Sequence, residues 1–215
     1  MIYELKDTSK AAVLFADWQD SVVWSAVQGV MGKIYVDSLE KPESGVVMLG
    51  DFSFLSGKPS KEIVLWKPQE CHSQELILVP QNENWAQLIE DCYGKRAQKT
   101  VRYAIKKEPG IFDLEKLQKV AAGLPQDYEM RLIDRELYEI CRSTQWSKDL
   151  TANYENYGQY EEFGLGVAIL KDGEVVAGIS SYSGYHGGIE IEVVTRKDYR
   201  RKGLAYIGAA RLLLE

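Results

Sequence analysis

The chain has 215 residues, of which 45% are hydrophobic and 27% charged, as in a globular protein with a sizeable core. Its net charge of −6 argues against nucleic acid as the main partner, because phosphate backbones bind to basic faces. The N-terminus lacks the pattern of a signal peptide, and no apolar run approaches the ~20 residues of a membrane span. We therefore expect a cytoplasmic protein with no membrane partner.

The three cysteines are scattered, odd in number and without the spacing of metal ligands: Cys71, Cys92 and Cys141. Such a pattern predicts reduced, mostly buried thiols rather than a disulfide framework or a metal site.

The first 125 residues are predicted to form an α/β domain. Residues 8–31 are expected to be helical, with a break near Asp20. Apolar residues recur there at the four-residue spacing of a helix stripe: Leu14, Trp18, Val22 and Ala26. Further strands are predicted at 33–37, 46–51, 62–66, 75–79 and 101–105. Further helices are predicted at 82–93 and, after a cap at Asp113, at 114–124. The domain boundary is placed near Pro125.

Residues 126–215 have a different order of predicted strands and helices from the first 125 residues. Strands are predicted at 128–133, 166–170, 175–183 and 189–195. Helices are predicted at 135–144, 151–162 and 204–214. The pair Asp172-Gly173 favours a tight hairpin between the second and third of these strands.

The most informative segment is the last strand together with the turn and helix after it. The strand 189–195 enters a basic turn, 196–202, which opens directly onto an apolar helix beginning near Gly203. A helix N-terminus offers unpaired backbone N–H groups and a partial positive charge. Small residues and nearby cations let an anion reach that backbone, so the segment predicts a phosphate or pyrophosphate site.

The spacing Arg200-x-x-Gly203-x-Ala205 after a strand resembles the signature of the GNAT superfamily, the Gcn5-related N-acetyltransferases. The resemblance covers residues 127–215, and the run 199–205 looks most like the zwittermicin-resistance-type branch. It implies a mixed, mostly antiparallel α/β (α+β) sheet flanked by helices, and acetyl-coenzyme A (acetyl-CoA) as co-substrate. It also implies which residues bind that cofactor, through strand backbone and then through the turn: Val193, Val194, Thr195, Arg200, Arg201, Lys202, Gly203, Leu204, Ala205 and Tyr206.

Two carboxylates on the last strand are the candidate catalytic residues. Period-two alternation puts Glu190 and Glu192 on the face opposite Ile191, and a central strand of a covered sheet rarely carries two acids on one face. Acetyl transfer needs a base that takes a proton from an ammonium. We expect Glu192 to be that base, with Glu190 as second choice. The alternative is that both face solvent or pair with arginine.

Other polar and aromatic residues are weaker candidates. Trp146 and Tyr154 could shape an acceptor pocket, although a core role is the simpler expectation for both. Tyr182 and Tyr185 could line the acceptor site, although partly exposed packing is the simpler expectation for loop tyrosines. His186 is expected to be a surface residue, and His72 has no partner nearby in sequence. Tyr157 and Tyr160 are left unassigned.

The resemblance also implies what should lie beyond Glu215. A complete domain of this kind continues after the third helix, where its usual general acid, a tyrosine, would lie. We therefore expect the domain to be cut within that helix, and no general acid is assigned. The N-terminal half is then either a degenerate second copy of the same fold or a family-specific domain that builds one wall of the substrate pocket.

The sequence thus predicts acetyl transfer from acetyl-CoA to the primary amine of a small molecule, by direct attack in a ternary complex. Two alternatives stay open, namely a peptide or protein N-acetyltransferase and a non-catalytic acyl-CoA sensor. A homodimer is a further open expectation.

Overall fold

The computed structural model describes residues 1–69, 71, 75–103, 108 and 110–215. The chain divides into two compact units, Met1–Tyr103 and Ala104–Glu215. Each unit contains one β-sheet flanked by helices. The predicted α/β class with mostly antiparallel sheets is therefore confirmed.

The first unit has a five-stranded sheet in the order β1-β2-β3-β4-β5, antiparallel except for the parallel pair β4 and β5. Its strands are β1 Tyr3–Glu4, β2 Lys33–Val36, β3 Ser44–Leu49, β4 Phe52–Gly57 and β5 Ile77–Pro80. Its α-helices are α1 Ser21–Val27, α2 Lys61–Leu65 and α3 Glu83–Tyr93, and 3₁₀ turns lie at Thr8–Ala11 and Gly94–Arg96.

Apolar side chains of β3, β4, α2 and α3 form the core of the first unit. Trp85 is fully buried there and packs in one cluster with Leu55 and Ile63. Its indole Nε1–H donates to the carbonyl of Gly57 at 2.9 Å, so this large ring is anchored at the end of β4.

Three predictions for the first unit need correction, and one strand was not predicted. The helix over 8–31 is wrong in most of its length, because only Ser21–Val27 is α-helical. Before it lie a 3₁₀ turn and a turn-rich segment in which the Leu14 carbonyl accepts a hydrogen bond from the Ser56 hydroxyl. The predicted break near Asp20 is its N-cap, where the side chain accepts from Val22 N–H.

The strand predicted at 62–66 is helix α2, which Ser60 caps, so capping overrides the β-branched composition. Strand β4 was missed, because it follows β3 after a tight turn at Gly50, whose φ is +58°. Residues 101–103 are irregular rather than a strand, and residues 104 and 105 lie outside the described residues.

The second unit has a four-stranded antiparallel sheet in the order β6-β7-β8-β9. Its strands are β6 Glu129–Leu132, β7 Gly166–Lys171, β8 Glu174–Tyr185 and β9 Gly188–Thr195. Its α-helices are α4 Leu114–Ala121, α5 Arg135–Ser143, α6 Tyr157–Phe163 and α7 Leu204–Leu212, and 3₁₀ turns lie at Lys148–Leu150 and Lys197–Tyr199. The helix predicted at 151–162 is thus shorter and starts later, after its N-cap Asn156.

Helix α7 packs on β7 and β8 so closely that Gly208 has no room for a side chain. A Cβ there would lie 2.2 Å from Ile179 Cδ1. Helix α4 packs against α7, so the second unit begins before the predicted boundary near Pro125. Whether the units are separate folding domains stays a prediction. Among the described residues, every helix is too short or too polar to cross a membrane.

Candidate active site

Strand β9 lies at one edge of the second sheet. Among the described residues it pairs with β8 alone, so its other edge has no strand neighbour. An edge strand directs alternate backbone N–H and C=O groups away from its partner. The side chain of Val193 on this strand is 46% exposed. The description of β9 as a central strand is therefore wrong for the described chain, and its edge can accept hydrogen bonds from another extended molecule.

The two faces of β9 differ in polarity. Ile189 and Ile191 pack with the buried Ile179 and with Leu212 of α7, which makes this face part of the core. Glu190 and Glu192 lie on the opposite face, as the alternation predicts. Both are half-buried, and their cross-strand partners are serines of β8: Ser183 opposite Glu190 and Ser180 opposite Glu192.

Buried tyrosine hydroxyls contact the serines of β8. Tyr160 Oη and Ser180 Oγ are 2.9 Å apart, and Tyr154 Oη donates to Ser181 Oγ at 2.6 Å. Burial raises the pKa of Tyr154 to about 12 and also raises the pKa of Tyr160, so both are neutral phenols at physiological pH. Gly166 leaves the space for this arrangement, because a Cβ there would lie 2.4 Å from Tyr160 Oη.

Arg142 of α5 holds this tyrosine group in place. One guanidinium nitrogen, Nη1, donates to the carbonyls of Thr151 and Tyr154 and to the hydroxyl of Tyr138. The rings of Tyr154 and Tyr160 meet edge to face at 4.9 Å. The sequence assigns no role to Tyr160, and its patterns do not single out Ser180 or Ser181. The available signal was a pair of serines directly after the apolar and glycine residues 175–179 of β8.

The turn after β9 has an unusual backbone. Arg201 has a φ of +62°, and Gly203, which is the N-cap of α7, has a φ of +79°. Gly203 makes no side-chain cap hydrogen bond, so within the described part of the chain the N-cap of α7 leaves the N–H groups of the first turn uncapped. Arg201 and Gly203 are exposed, and Tyr206 is 61% exposed. The helix N-terminus is therefore accessible to an anion.

The predicted cofactor residues lie together along this strand, turn and helix. Val194, Thr195 and Ala205 are half-buried, Arg200 and Lys202 are exposed, and Leu204 is buried. Arg200 Nε donates to the Thr195 carbonyl at 3.1 Å, which folds that side chain back onto the end of β9. Leu204 belongs to the core cluster of Ile169 and Val176, so its part in any cofactor contact is limited to its backbone.

The other candidate residues occupy different surroundings. His186 is exposed and its ring meets that of Phe163 at 5.5 Å, while Tyr182, Tyr185 and Trp146 are half-buried. His72 lies outside the described residues. Cys141 is buried, and burial raises the pKa of its thiol to about 11. Within the described residues, no group of three or more His, Cys, Asp or Glu is arranged to hold a metal ion.

Comparison with known proteins agrees with this geometry. The model of the GNAT acetyltransferase family matches residues 12–215. A crystal structure described as a GCN5-related N-acetyltransferase-like protein from Streptococcus suis 89/1591 is 44% identical and superposes with a TM-score of 0.88, over 97% of this chain and 83% of that one.

A second relative is the uncharacterized N-acetyltransferase YdfB of Bacillus subtilis (strain 168). It is 25% identical over 204 residues, which are 86% of this chain and 71% of that protein. The family match spans nearly the whole chain and includes the strand, turn and helix described above. The chain therefore belongs to the GNAT acetyltransferase family and is an acyl-CoA-dependent N-acetyltransferase.

Proposed function

We propose that this protein transfers the acetyl group of acetyl-CoA to the primary amine of a small molecule, by direct attack in a ternary complex. The observation that carries the proposal is the continuity of β9, the turn and α7. Within that one segment lie a sheet edge without a strand neighbour among the described residues, a helix N-terminus without a side-chain cap, and two half-buried carboxylates.

The cofactor contacts in this proposal are mainly to backbone. The backbone groups at the free edge of β9, in Val193, Val194 and Thr195, form hydrogen bonds with the amides of the pantetheine arm. The arm thus binds in the way that an additional strand would. The N–H groups from Arg201 to Tyr206 donate to the pyrophosphate, where the positive end of the helix dipole favours negative charge. Arg200, Arg201 and Lys202 add positive charge nearby.

In the proposed reaction, Glu192 accepts a proton from the acceptor ammonium, directly or through a water molecule. The neutral amine nitrogen then forms a bond to the thioester carbonyl carbon, and the carbon–sulfur bond breaks. The attacking nitrogen loses its second proton as the amide forms, and the leaving CoA thiolate takes up one proton, so the products are an N-substituted acetamide and CoA. Glu190 is the second candidate for the base, and no general acid is assigned.

A covalent acetyl-cysteine intermediate on Cys141 is the less favourable route. Only a thiolate is a good nucleophile, and the Cys141 thiol is buried with a pKa of about 11. Direct attack requires no such group. The resemblance to the zwittermicin-resistance-type branch supports an amine-bearing antibiotic or metabolite as acceptor. A cytoplasmic location and a homodimer belong to the same proposal.

The test combines a binding measurement with a turnover measurement. Calorimetric titration with acetyl-CoA should give saturable binding. In a panel of amines, some acceptors should cause the release of free CoA from acetyl-CoA, and only when the enzyme is present. Glu192→Gln should keep acetyl-CoA affinity but lower kcat by about 10²- to 10⁴-fold, the usual contribution of a general base. Raising the pH should partly restore the variant, because more amine is then already neutral.

Each alternative gives a different outcome. Full turnover by Glu192→Gln would exclude this residue as the base. Turnover with peptides but not with small amines would support a peptide acetyltransferase. Binding without turnover on any acceptor would support a sensor. No binding of acetyl-CoA by the folded protein would reject the cofactor proposal itself.

A further inference from the structure

Arg196 lies between the end of β9 and the helix α7 that the proposed function assigns to the pyrophosphate. Its guanidinium Nε and Nη2 donate to the two carboxylate oxygens of Asp198, at 3.0 and 3.2 Å. Its Nη1 donates to Glu174 Oε2 at 2.9 Å, and its backbone N–H donates to the Val176 carbonyl. One side chain therefore connects the start of β8 with the 3₁₀ turn Lys197–Tyr199.

The ring of Tyr199 extends this connection to Lys202, near the end of the basic turn 196–202. The Arg196 guanidinium carbon lies 4.5 Å from the centroid of that ring, and Lys202 Nζ lies 4.6 Å from it. The ring also meets Tyr128 edge to face at 6.3 Å. Cations over an aromatic face are attracted by its quadrupole, so Tyr199 holds both ends of the turn.

The charges around the turn are balanced rather than uniformly positive. Lys171 pairs with Asp127 at 2.6 Å, while Arg196 pairs with both Glu174 and Asp198. Hydrogen bonding to Arg196 lowers the pKa of Asp198, and hydrogen bonding to Asp198 and Glu174 raises the pKa of Arg196. All three guanidinium nitrogens of Arg196 thus already donate to carboxylates, whereas a cation that binds a phosphate needs donors directed at the phosphate.

We infer that Arg196 is a positioning residue, which fixes the turn so that the backbone N–H groups at the start of α7 face the cofactor's pyrophosphate. The inference rests on the proposed function, because it presupposes acetyl-CoA at that helix. Surface ion pairs contribute little to stability on their own. The Arg196 guanidinium, however, bonds both oxygens of the Asp198 carboxylate and one oxygen of Glu174. These bonds restrict the conformation of the turn, and a binding site requires such a fixed backbone.

The sign of the effect of Asp198 separates positioning from direct contact. Removing an acid beside a phosphate site should tighten anion binding if only charge matters. If Asp198 holds Arg196 and the turn, Asp198→Ala should instead raise the KM and Kd for acetyl-CoA by about tenfold, the lower end of the loss seen when the supporting partner of a metal ligand is removed. Arg196→Ala should raise both by a similar factor, with kcat changed much less.

The double variant completes the test. Because both residues act through one contact, Arg196→Ala with Asp198→Ala should weaken acetyl-CoA binding by about tenfold again rather than about a hundredfold. Lys197→Ala is the matched control, since it removes one positive charge from an exposed site in the same turn. It should change KM by less than about twofold, as an exposed charge screened by solvent does.

Thermal unfolding of each variant shows whether it folds, and calorimetry on the wild type tests the proposed function separately. Wild-type binding with unchanged or tighter binding by Asp198→Ala would overturn the positioning role alone. Additive effects in the double variant would also overturn it, and would indicate that Arg196 contacts the phosphate directly. Absence of acetyl-CoA binding by the wild type would reject the proposed function as well.

Discussion

A similar run of strands and helices occurs in both units, and the units differ most where a strand passes into a helix. In the first unit, β1 is followed by a 3₁₀ turn and α1, then by β2, β3 and β4, and then by α2. In the second, β6 is followed by α5, a 3₁₀ turn and α6, then by β7, β8 and β9, and then by a second 3₁₀ turn and α7. The junctions β4–α2 and β9–α7 therefore correspond in position within each unit.

In the first unit this junction is occupied by the protein's own groups. Helix α2 has five residues, and the Ser60 hydroxyl accepts from the N–H of Ile63. The Gly57 carbonyl accepts from the indole of Trp85, and Pro59 has no N–H to offer. In the second unit α7 has nine residues, and Gly203 provides no side-chain cap.

The strands that lead into the junctions differ in the same way. β4 lies between β3 and β5, and its middle residues are buried, whereas β9 pairs with β8 alone among the described residues and carries two half-buried glutamates. The junction is therefore closed by packing in the first unit and left polar in the second. This difference supports a cofactor site in the second unit.

The largest expected effect comes from placing a negative charge at the β9–α7 junction, with a charge at the β4–α2 junction as the control. Gly203→Glu puts a side chain and a charge at the N-terminus of α7, so acetyl-CoA affinity should fall by about a hundredfold or more, as for loss of a helix-terminus anion site. Lys58→Glu makes a larger charge change at the corresponding junction of the first unit. It should leave the calorimetric affinity within about twofold, because no site is proposed there.

Gly203→Ala controls for backbone strain. The positive φ at Gly203 disfavours any side chain, although a Cβ there would meet no atom within 4 Å. Alanine should therefore weaken binding far less than glutamate does. Equal losses in the two variants would attribute the effect to strain, and a large loss in Lys58→Glu would end the distinction between the units.

The elements of the second unit were predictable because short-range signals agree with the fold. Asp134 caps α5 as expected, the Asp172-Gly173 turn joins β7 to β8, and the period-two alternation placed Glu190 and Glu192 on one face of β9. Each signal operates within a few residues. The strand, turn and helix that identify the family were therefore visible without the structure.

The errors arose where distant contacts decide the local structure. The apolar spacing in residues 8–18 resembles a helix stripe, yet the Leu14 carbonyl is bound by Ser56, 42 residues away. The pairing of Tyr160 with Ser180 likewise joins α6 to β8 across 20 residues. The charge balance of Arg196 required Glu174, which lies 22 residues away in sequence. Sequence periodicity carries no information about such pairs.

A smaller effect, on the free energy of unfolding, is expected when a tyrosine hydroxyl is removed from either unit. Tyr160→Phe removes one partner of a fully buried pair and leaves the Ser180 hydroxyl without it, which should lower the free energy of unfolding by about 1–2 kcal/mol. In the first unit, Tyr93 Oη donates to the Val64 carbonyl at 3.0 Å, and Tyr93 is only half-buried. Tyr93→Phe should therefore cost less, about 0.5–1 kcal/mol.

Urea denaturation of both variants measures this difference. Adding Ser180→Ala to Tyr160→Phe should cost less than the sum of the single changes, because both partners of the hydrogen bond are then absent. Additive costs would mean that the two hydroxyls stabilise the unit independently.

The smallest expected effect concerns Asp134, the N-cap of helix α5 in the second unit. Asp134 accepts from the N–H of Leu137 at 3.0 Å and pairs with Arg131 at 2.9 Å, and the hydrogen bond from Leu137 is the main reason that its pKa is lowered. A carboxylate with a lowered folded pKa adds stability above its unfolded pKa of about 3.9 and loses it as the pH falls through the folded value.

Asp134→Asn tests that assignment, since asparagine is also a good N-cap and the change removes mainly the charge. The variant should unfold at a slightly lower temperature than the wild type at pH 7. The gap should narrow as the pH falls below about 4, because the wild-type carboxyl then becomes neutral. A gap that does not change with pH would mean that cap geometry, and not charge at the start of α5, is what asparagine fails to reproduce.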